Sequence, residues 1–338
     1  MRHASIHELD ALLISRRQWE RAGGNTRSIR VAVDAGRMHR LRRGWFMHRS
    51  DWDDLWPESR HRAEVLAAAH SSTGRGPVFS HLSAAVLWGL PLVHIVPERV
   101  HVTLDGSVRH SIPGLMRHRS ALPFDDVAEI SGVRCTSLLR TVDDVVRTVA
   151  PEAALALTDA ALATKGGQPW DFDLPAAEEW ADQLRMRAAR PGARGAVQAR
   201  QIADLADGRA QLPLESMTRW RLHQLGFERP RLQVPVPAAG GRTYWMDLGL
   251  PQLRTFVECD GAMKYLDPEM RGGRGSDRVV LDEKIREDWV RGATGWRVIR
   301  VGAEDMRTID SAAATFRAFG LHPHRRREPF AAFGEVPL

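Results

Sequence analysis

Trp245-Met-Asp-Leu-Gly-Leu250 is followed by Phe256-Val-Glu-Cys-Asp-Gly-Ala-Met-Lys264 and then by Asp282-Glu-Lys-Ile-Arg-Glu-Asp288. The first two pieces read as neighbouring strands, with Asp247 in one and, eleven residues later, Glu258-x-Asp260 closing the next. Side chains alternate faces along a strand, so Glu258 and Asp260 share one side while Val257 and Cys259 take the other. Carboxylates on apolar strands are costly unless a cation or hydrogen bonds compensate them. Three of them on adjoining strand ends form a hard-oxygen site of the kind Mg²⁺ (or Mn²⁺) takes. Asp247, Glu258 and Asp260 are therefore candidate metal ligands, and the chemistry expected is that of phosphodiesters.

Working outward, Leu214–Leu225 reads as an amphipathic helix that carries Glu215 and ends at Gly226. Arg231–Pro237, Thr243–Leu250 and Leu253–Asp260 read as strands, and Asp277–Gly292 as a highly charged helix. Trp296–Val301 is a fourth strand and Ile309–Phe319 a closing helix. The order α-β-β-β-α-β-α over residues 206–325 predicts a small mixed sheet flanked by helices. The charged helix places Asp282/Arg286 and Lys284/Asp288 four residues apart, the pattern of a solvated, mutually paired face. Gly272-Gly-Arg-Gly275 is only a weak phosphate-loop signal.

The basic charge concentrates at the other end. Arg21, Arg27, Arg30, Arg37, Arg40, Arg42, Arg43 and Arg49 face a single acid, Asp34, within residues 21–49. Helices are expected around His7–Leu13, from Ser15 to Ala22 and from Thr26 to Ala35, the last capped by Asn25 or Thr26 and ended by Gly36. A basic hairpin, Met38–Met47, follows. Residues 1–50 thus read as a winged helix-turn-helix that places its third helix in the major groove and its wing on phosphates. Arg27 and Arg30 lie on one face of that helix, and Arg40, Arg42 and Arg43 on the wing; these are the candidate DNA contacts. Trp45 and Phe46 are read as packing residues of the hairpin.

Residues 60–165 mix both periods: His61–His70, Phe79–Trp88, Leu138–Val149 and Pro151–Ala163 are helical, and Arg99–Leu104 alternates as a strand. Residues 166–205 are expected to be a linker followed by helix. His81 and His94 of the middle region show no ligand spacing and are read as core or surface, and the remaining histidines, His110 and His118 among them, point to no metal site.

The chain of 338 residues is 43% hydrophobic and 27% charged, with a net charge of +6. Its pI of about 10.1 favours a polyanionic partner. Two cysteines, Cys135 and Cys259, make neither a disulfide framework nor a zinc module and fit a reducing compartment. Without a signal-peptide core or a membrane-length apolar run, a cytoplasmic protein is expected. The fold class expected is α+β multidomain. No Ser/His/Asp or Cys/His constellation, P-loop or dinucleotide fingerprint occurs.

Two resemblances sharpen this. Pro213-Leu-Glu-Ser, Met246-Asp-Leu, Val257-Glu-Cys-Asp-Gly, Lys264-Tyr, Glu283-Lys-Ile-Arg-Glu-Asp and Gly295-Trp-Arg-Val-Ile-Arg resemble the PD-(D/E)XK nuclease-like domains related to very-short-patch-repair endonucleases. The helix-turn-helix with its Arg-Arg-Gly-Trp-Phe wing resembles the AbiEi-type antitoxin and transcriptional-regulator family. So do His81-Leu-Ser-Ala-Ala-Val-Leu-Trp-Gly-Leu-Pro and Gly132-Val-Arg-Cys-Thr-Ser-Leu-Leu-Arg-Thr-Val-Asp-Asp. The first resemblance implies Asp247 and Glu258 as Mg²⁺ ligands and a lysine two residues after the glutamate. This chain has Asp260 there, so the cationic role passes to Lys264 or Lys284, with Glu215 completing the metal shell or holding its water. The expected function is a DNA-binding, Mg²⁺-dependent endodeoxyribonuclease of defence or repair. The alternative is an AbiEi-like antitoxin or regulator whose nuclease fold is inactive, with a nucleotidyltransferase-type toxin encoded nearby. A toxin-like RNase is a third reading, because the metal chemistry does not distinguish DNA from RNA. Helix-turn-helix proteins often read paired half-sites, so a homodimer on double-stranded DNA is expected.

Overall fold

The structure is a computed structural model that describes residues 1–105, 113–190, 194–260 and 276–323, the side chains of 276–282 excepted. Thirteen α-helices and three β-sheets among these residues make a mixed α and β chain. It divides into two compact units, Met1–Gly166 with Asp173–Gly208, and Gly167–Phe172 with Arg209–Leu338. No helix among the described residues is long and apolar enough to cross a membrane.

The first unit opens with α1 (Ile6–Leu12), β1 (Ile14–Ser15), α2 (Arg16–Arg21), α3 (Thr26–Asp34), β2 (Met38–Arg42) and β3 (Trp45–His48). Each of the three helices begins at a capping box: Ser5 with Glu8, Ser15 with Gln18, and Asn25 with Ser28. These side chains satisfy the N–H groups that a first helical turn leaves unpaired. Strands β2 and β3 form the expected hairpin, and β3 also pairs with β1. Its turn places Gly44 at φ +83°, where a side chain would strain the backbone. Ile29 and Ala32 of α3 pack on Met38 and Phe46, so α3 rides on the hairpin and turns its other face outward.

The unit continues through α4 (Arg49–Asp53), α5 (Pro57–His70), β4 (Val78–Phe79), α6 (His81–Leu87), β5 (Val100–Leu104), β6 (Leu115–Arg119), β7 (Val127–Ile130) and β8 (Val133–Thr136). Four helices complete it: α7 (Leu138–Val146), α8 (Pro151–Gly166), α9 (Leu174–Ala188) and α10 (Ala196–Leu205). A five-stranded sheet in the order β6-β5-β4-β8-β7 lies at its centre. The helix expected over Phe79–Trp88 begins only at His81. Val78 and Phe79 instead pair with Thr103 and Val102, and Phe79 also with Cys135. Sheet burial of the Phe79 side chain outweighs the local helical pattern. The linker expected after residue 166 is short, because Leu174–Ala188 is helical. Asp173 caps that helix by accepting from Ala176 N–H, and it packs against α8 and α10.

The second unit follows the predicted order: α11 (Pro213–Gln224), β9 (Arg231–Pro237), β10 (Thr243–Leu250), β11 (Thr255–Cys259), α12 (Ser276–Thr294), β12 (Arg297–Val301) and α13 (Ile309–Ala318). Strands β9, β10 and β11 form an antiparallel meander, and β12 runs parallel to β11, with α12 as the crossover. On the side of α11 and α13 the core holds Leu222, Leu248, Leu250, Val257, Cys259, Ile299 and Phe316. On the side of α12 it holds Val236, Met246, Phe256 and Val290.

Regular alternation fails at one place in this sheet. Val234 pairs with Met246 and Leu232 with Leu248, yet these pairs belong to opposite cores. Gln233, between them, takes φ +47° in the left-handed region, where a non-glycine residue is strained. The ladder therefore changes face at Gln233 and Asp247. Asp247 sits at that irregularity rather than in the simple two-residue alternation its sequence implies.

Candidate functional site

The carboxylates of the second unit gather at the C-terminal end of β11. Glu215 belongs to the first turn of α11, which Pro213 starts and in which an acid complements the helix dipole. Its side chain is 1% exposed; Oε2 accepts from Gln211 N–H at 3.1 Å and from Gln233 Nε2 at 3.2 Å. Burial, together with the charge of Asp247, pushes the Glu215 carboxyl up to about 8. Asp247 Oδ2 accepts the Cys259 N–H at 2.8 Å. Burial raises the Cys259 thiol well above its usual range, and the charges of Asp247, Glu215 and Glu258 add to the shift. The sulfur lies 3.5 Å from Thr218 Oγ1 and stays protonated, so it is no nucleophile.

Glu258 is 6% exposed and projects to the α12 side, opposite the core positions of Val257 and Cys259. Arg286 Nη2 lies 3.4 Å from Glu258 Oε1 and donates to Trp245 O at 2.6 Å. Asp260 lies further out, where its Oδ2 meets Arg300 Nε at 3.3 Å; Arg300 Nη2 also reaches Glu287 Oε2 at 3.3 Å. The two residues expected on one side of β11 therefore each face an arginine. Glu258 and Asp260 do not join Asp247 in a single tight ligand group. Among the described residues, the group whose ligand atoms all lie within 4.8 Å of one another is instead His81, His101 and His118.

Lys284 is exposed. Positions two apart on a helix diverge by more than half a turn, so Arg286 facing the sheet turns Lys284 away from the carboxylates. Among the described residues, Arg286 is a cation that meets Glu258, and the sequence pattern assigns it to a solvated helix face. Lys264 and the Gly272–Gly275 loop lie outside the described residues, as does the Asp282 side chain.

In the first unit, Arg27 and Arg30 are exposed on α3 beside the exposed Val31, and Arg30 Nε stands 3.8 Å from Asp34. On the hairpin, Arg40 and Arg43 are exposed and Arg42 half-buried. Phe46 is buried beneath them, and Trp45 stacks on His70 with ring centroids 4.9 Å apart.

No family model matches the chain. It is 27% identical over 243 residues to two uncharacterized proteins of Mycobacterium tuberculosis, from strains CDC 1551 / Oshkosh and ATCC 25618 / H37Rv. The alignment covers 72% of this chain and 80% of each relative.

A second cluster, in the first unit, has no counterpart in the sequence reading. Arg140 donates from Nε to Asp144 Oδ1 at 2.9 Å, from Nη1 to Asp126 Oδ2 at 2.7 Å and from Nη2 to Ser120 Oγ at 2.8 Å. Arg187 also bonds Asp126. Burial opposes the charge on Asp126, but the bonds from Arg187 and Arg140 win and hold its carboxyl below the usual range.

Proposed function

We propose that the chain binds double-stranded DNA through a winged helix-turn-helix formed by α1–α3 and the β2–β3 hairpin. On this reading the second unit is a PD-(D/E)XK-type phosphodiesterase that cuts the bound DNA with the help of a divalent metal, in a cytoplasmic setting. The carrying observation is that buried Glu215 bonds Gln233, across the ladder from Asp247, while Asp247 accepts the Cys259 N–H at 2.8 Å next to Glu258 in β11. A buried carboxyl whose proton affinity is raised by burial and by the neighbouring charge of Asp247, as at Glu215, is a costly arrangement that a divalent cation relieves. All the donors are hard oxygens, as Mg²⁺ or Mn²⁺ requires.

Asp247 and Glu258 would hold the ion, and Glu215 would orient the water beside it. Bound there, the metal lowers the pKa of water and offsets charge on the phosphate. The bond from Cys259 N–H fixes the orientation of the Asp247 carboxylate at the strand end. Arg286 steadies Glu258 and brings positive charge to that carboxylate, while Arg300 stands beside Asp260, where the nuclease pattern has a lysine. A guanidinium donates hydrogen bonds to an anion but does not take up a proton, so Arg286 binds phosphate and leaves water activation to the carboxylates.

Supercoiled plasmid incubated with the protein is expected to be nicked or linearised with Mg²⁺ or Mn²⁺ and to stay intact with EDTA. A gel shift with no cleavage under any metal would sink the nuclease reading. It would favour a second one, an AbiEi-like antitoxin or regulator, homodimeric on DNA and paired with a nucleotidyltransferase-type toxin. The pairs Glu258–Arg286 and Asp260–Arg300 favour that alternative, because they compensate two of the carboxylates without a metal.

DNA binding carries its own prediction. Arg40→Ala with Arg43→Ala should weaken binding to unrelated duplexes alike. It should also flatten the plot of log affinity against log salt by about 0.9 per lost phosphate contact. Fluorescence anisotropy across a salt series measures this, and an unchanged slope would remove the hairpin from the interface.

A further inference from the structure

Three histidines far apart in sequence meet in the five-stranded sheet of the first unit. β5 and β6 run parallel, with Thr103 opposite His118 and His101 opposite Met116. His118 Nε2 and His101 Nδ1 face each other at 3.1 Å. His81 opens α6 at φ +51°, and its ring stacks on that of His118 with centroids 3.6 Å apart. One nitrogen from each ring falls within 4.8 Å of the others. All three residues are partly open to solvent, so an ion can reach them.

We propose that His81, His101 and His118 form a binding site for a borderline divalent transition ion, with Zn²⁺ as the best fit. Two nitrogens sharing one ion at about 2.1 Å stand roughly 3.0–3.4 Å apart, a separation that His101 and His118 already have. His81 offers a nitrogen within 4.8 Å of the other two, so the third ligand is at hand beside the pair. Imidazole donors select zinc and its neighbours over Mg²⁺. Burial keeps the rings neutral, pushing His81 down to about 2 and His101 to about 4 and also lowering His118, so each retains a lone pair at neutral pH.

A supporting layer is in place. His81 Nδ1 lies 3.1 Å from Ser80 Oγ and 3.9 Å from Asp144 Oδ2. That Asp144 oxygen is buried and has no hydrogen-bond partner. A carboxylate behind a metal-bearing imidazole fixes its tautomer and orientation. Arg140, the nearest cation on that side, is already neutralised by Asp126 and Asp144. With three protein nitrogens a tetrahedral ion keeps one open position, the pattern of an exchangeable rather than a closed structural site. This site lies in the other unit from the carboxylates of β11 and does not depend on the nuclease reading.

The test uses tag-free full-length protein stripped with EDTA and then freed of chelator. Calorimetric titration should show one saturating equivalent of Zn²⁺ that depends on the histidines, and Co²⁺ on the same ligands should give visible absorption from a four- or five-coordinate site. His101→Gln and His118→Gln should abolish both signals, and Asp144→Asn should weaken binding about 10–100-fold. Asp247→Asn/Glu258→Gln, which removes any uptake by the carboxylates of the second unit, should leave the histidine-dependent equivalent unchanged. X-ray absorption on the zinc-loaded wild type should show three imidazole shells, a readout that needs no variant to fold. No saturable uptake by the wild type, uptake retained in both histidine variants, or a shell with fewer than two imidazoles would each overturn the site.

Discussion

Asp247→Asn combined with Glu258→Gln is expected to abolish metal-dependent plasmid cleavage while leaving DNA binding intact. Both substitutions keep side-chain shape. The introduced asparagine would still offer an oxygen to the Cys259 N–H, which Asp247 now accepts at 2.8 Å, and the introduced glutamine would still offer one to Arg286. What disappears is the negative charge that holds a divalent cation. A metal's electrostatic contribution to the transition state is several kcal/mol. At about 1.4 kcal/mol per tenfold, its loss is roughly a thousandfold or more in rate. The measurement is the initial rate of nicking at saturating Mg²⁺, with circular dichroism and a gel shift as controls for folding and binding. Cleavage within tenfold of wild type would remove these two residues from the site. A gel-shift-competent wild type with no activity would instead favour the regulator.

The legibility of this site in the sequence is uneven, for reasons that can be located. The second unit is readable because its strands are apolar runs set off by turn residues and its helices are bounded by Pro213, Gly226 and Gly295. Arg231–Pro237 and Thr243–Leu250 form strands with the bounds expected of them. What alternation cannot convey is its own interruption. The left-handed Gln233 moves the apolar face between Met246 and Leu248, and nothing in a glutamine between a leucine and a valine announces it. The charged helix is legible as a helix, but i,i+4 partners do not reveal which of its charges turn inward. Arg286 does so because Val290, one turn later, is packed into the core on that side.

The first unit hides more. β6, β7 and β8 are short, and their half-polar burial leaves no strong period. Parallel pairing of β5 with β6 is a long-range event with no local signature. His81, His101 and His118 are therefore brought together by topology alone, at spacings that match no metal motif. The segments quoted for the antitoxin resemblance meet in the same place. Trp88 Nε1 donates to Thr136 O at 2.9 Å, and His81 of one segment stands beside Asp144 of the other. What reads in sequence as two separate motifs is in space one contact between α6, β8 and α7.

That contact rests on Arg140, and Arg140→Ala is the substitution with the largest expected cost in stability. Its guanidinium bonds Asp126, Asp144, Ser120 and the Ala121 carbonyl, and its side chain is 9% exposed. Burial opposes the charge on Arg140, but Asp144 and Asp126 win and raise its pKa above the usual range. Truncation leaves Asp144 buried without its cation, while Arg187 alone remains to serve Asp126. Removing one partner of a buried ion pair costs about 3–5 kcal/mol, because the penalty of the abandoned charge adds to the lost bonds. For a unit of this size each kcal/mol is about 2–4 °C, so the thermal midpoint should also fall, by roughly 6–20 °C. The exposed pair Arg30–Asp34, 3.8 Å apart on α3, provides the contrast. Arg30→Ala should shift stability by no more than about 0.5 kcal/mol. Urea unfolding of the two variants side by side, at fixed pH and salt, measures both. A cost for Arg140→Ala no larger than that for Arg30→Ala would show the network to be solvated, and α7 would then be held by its apolar face alone.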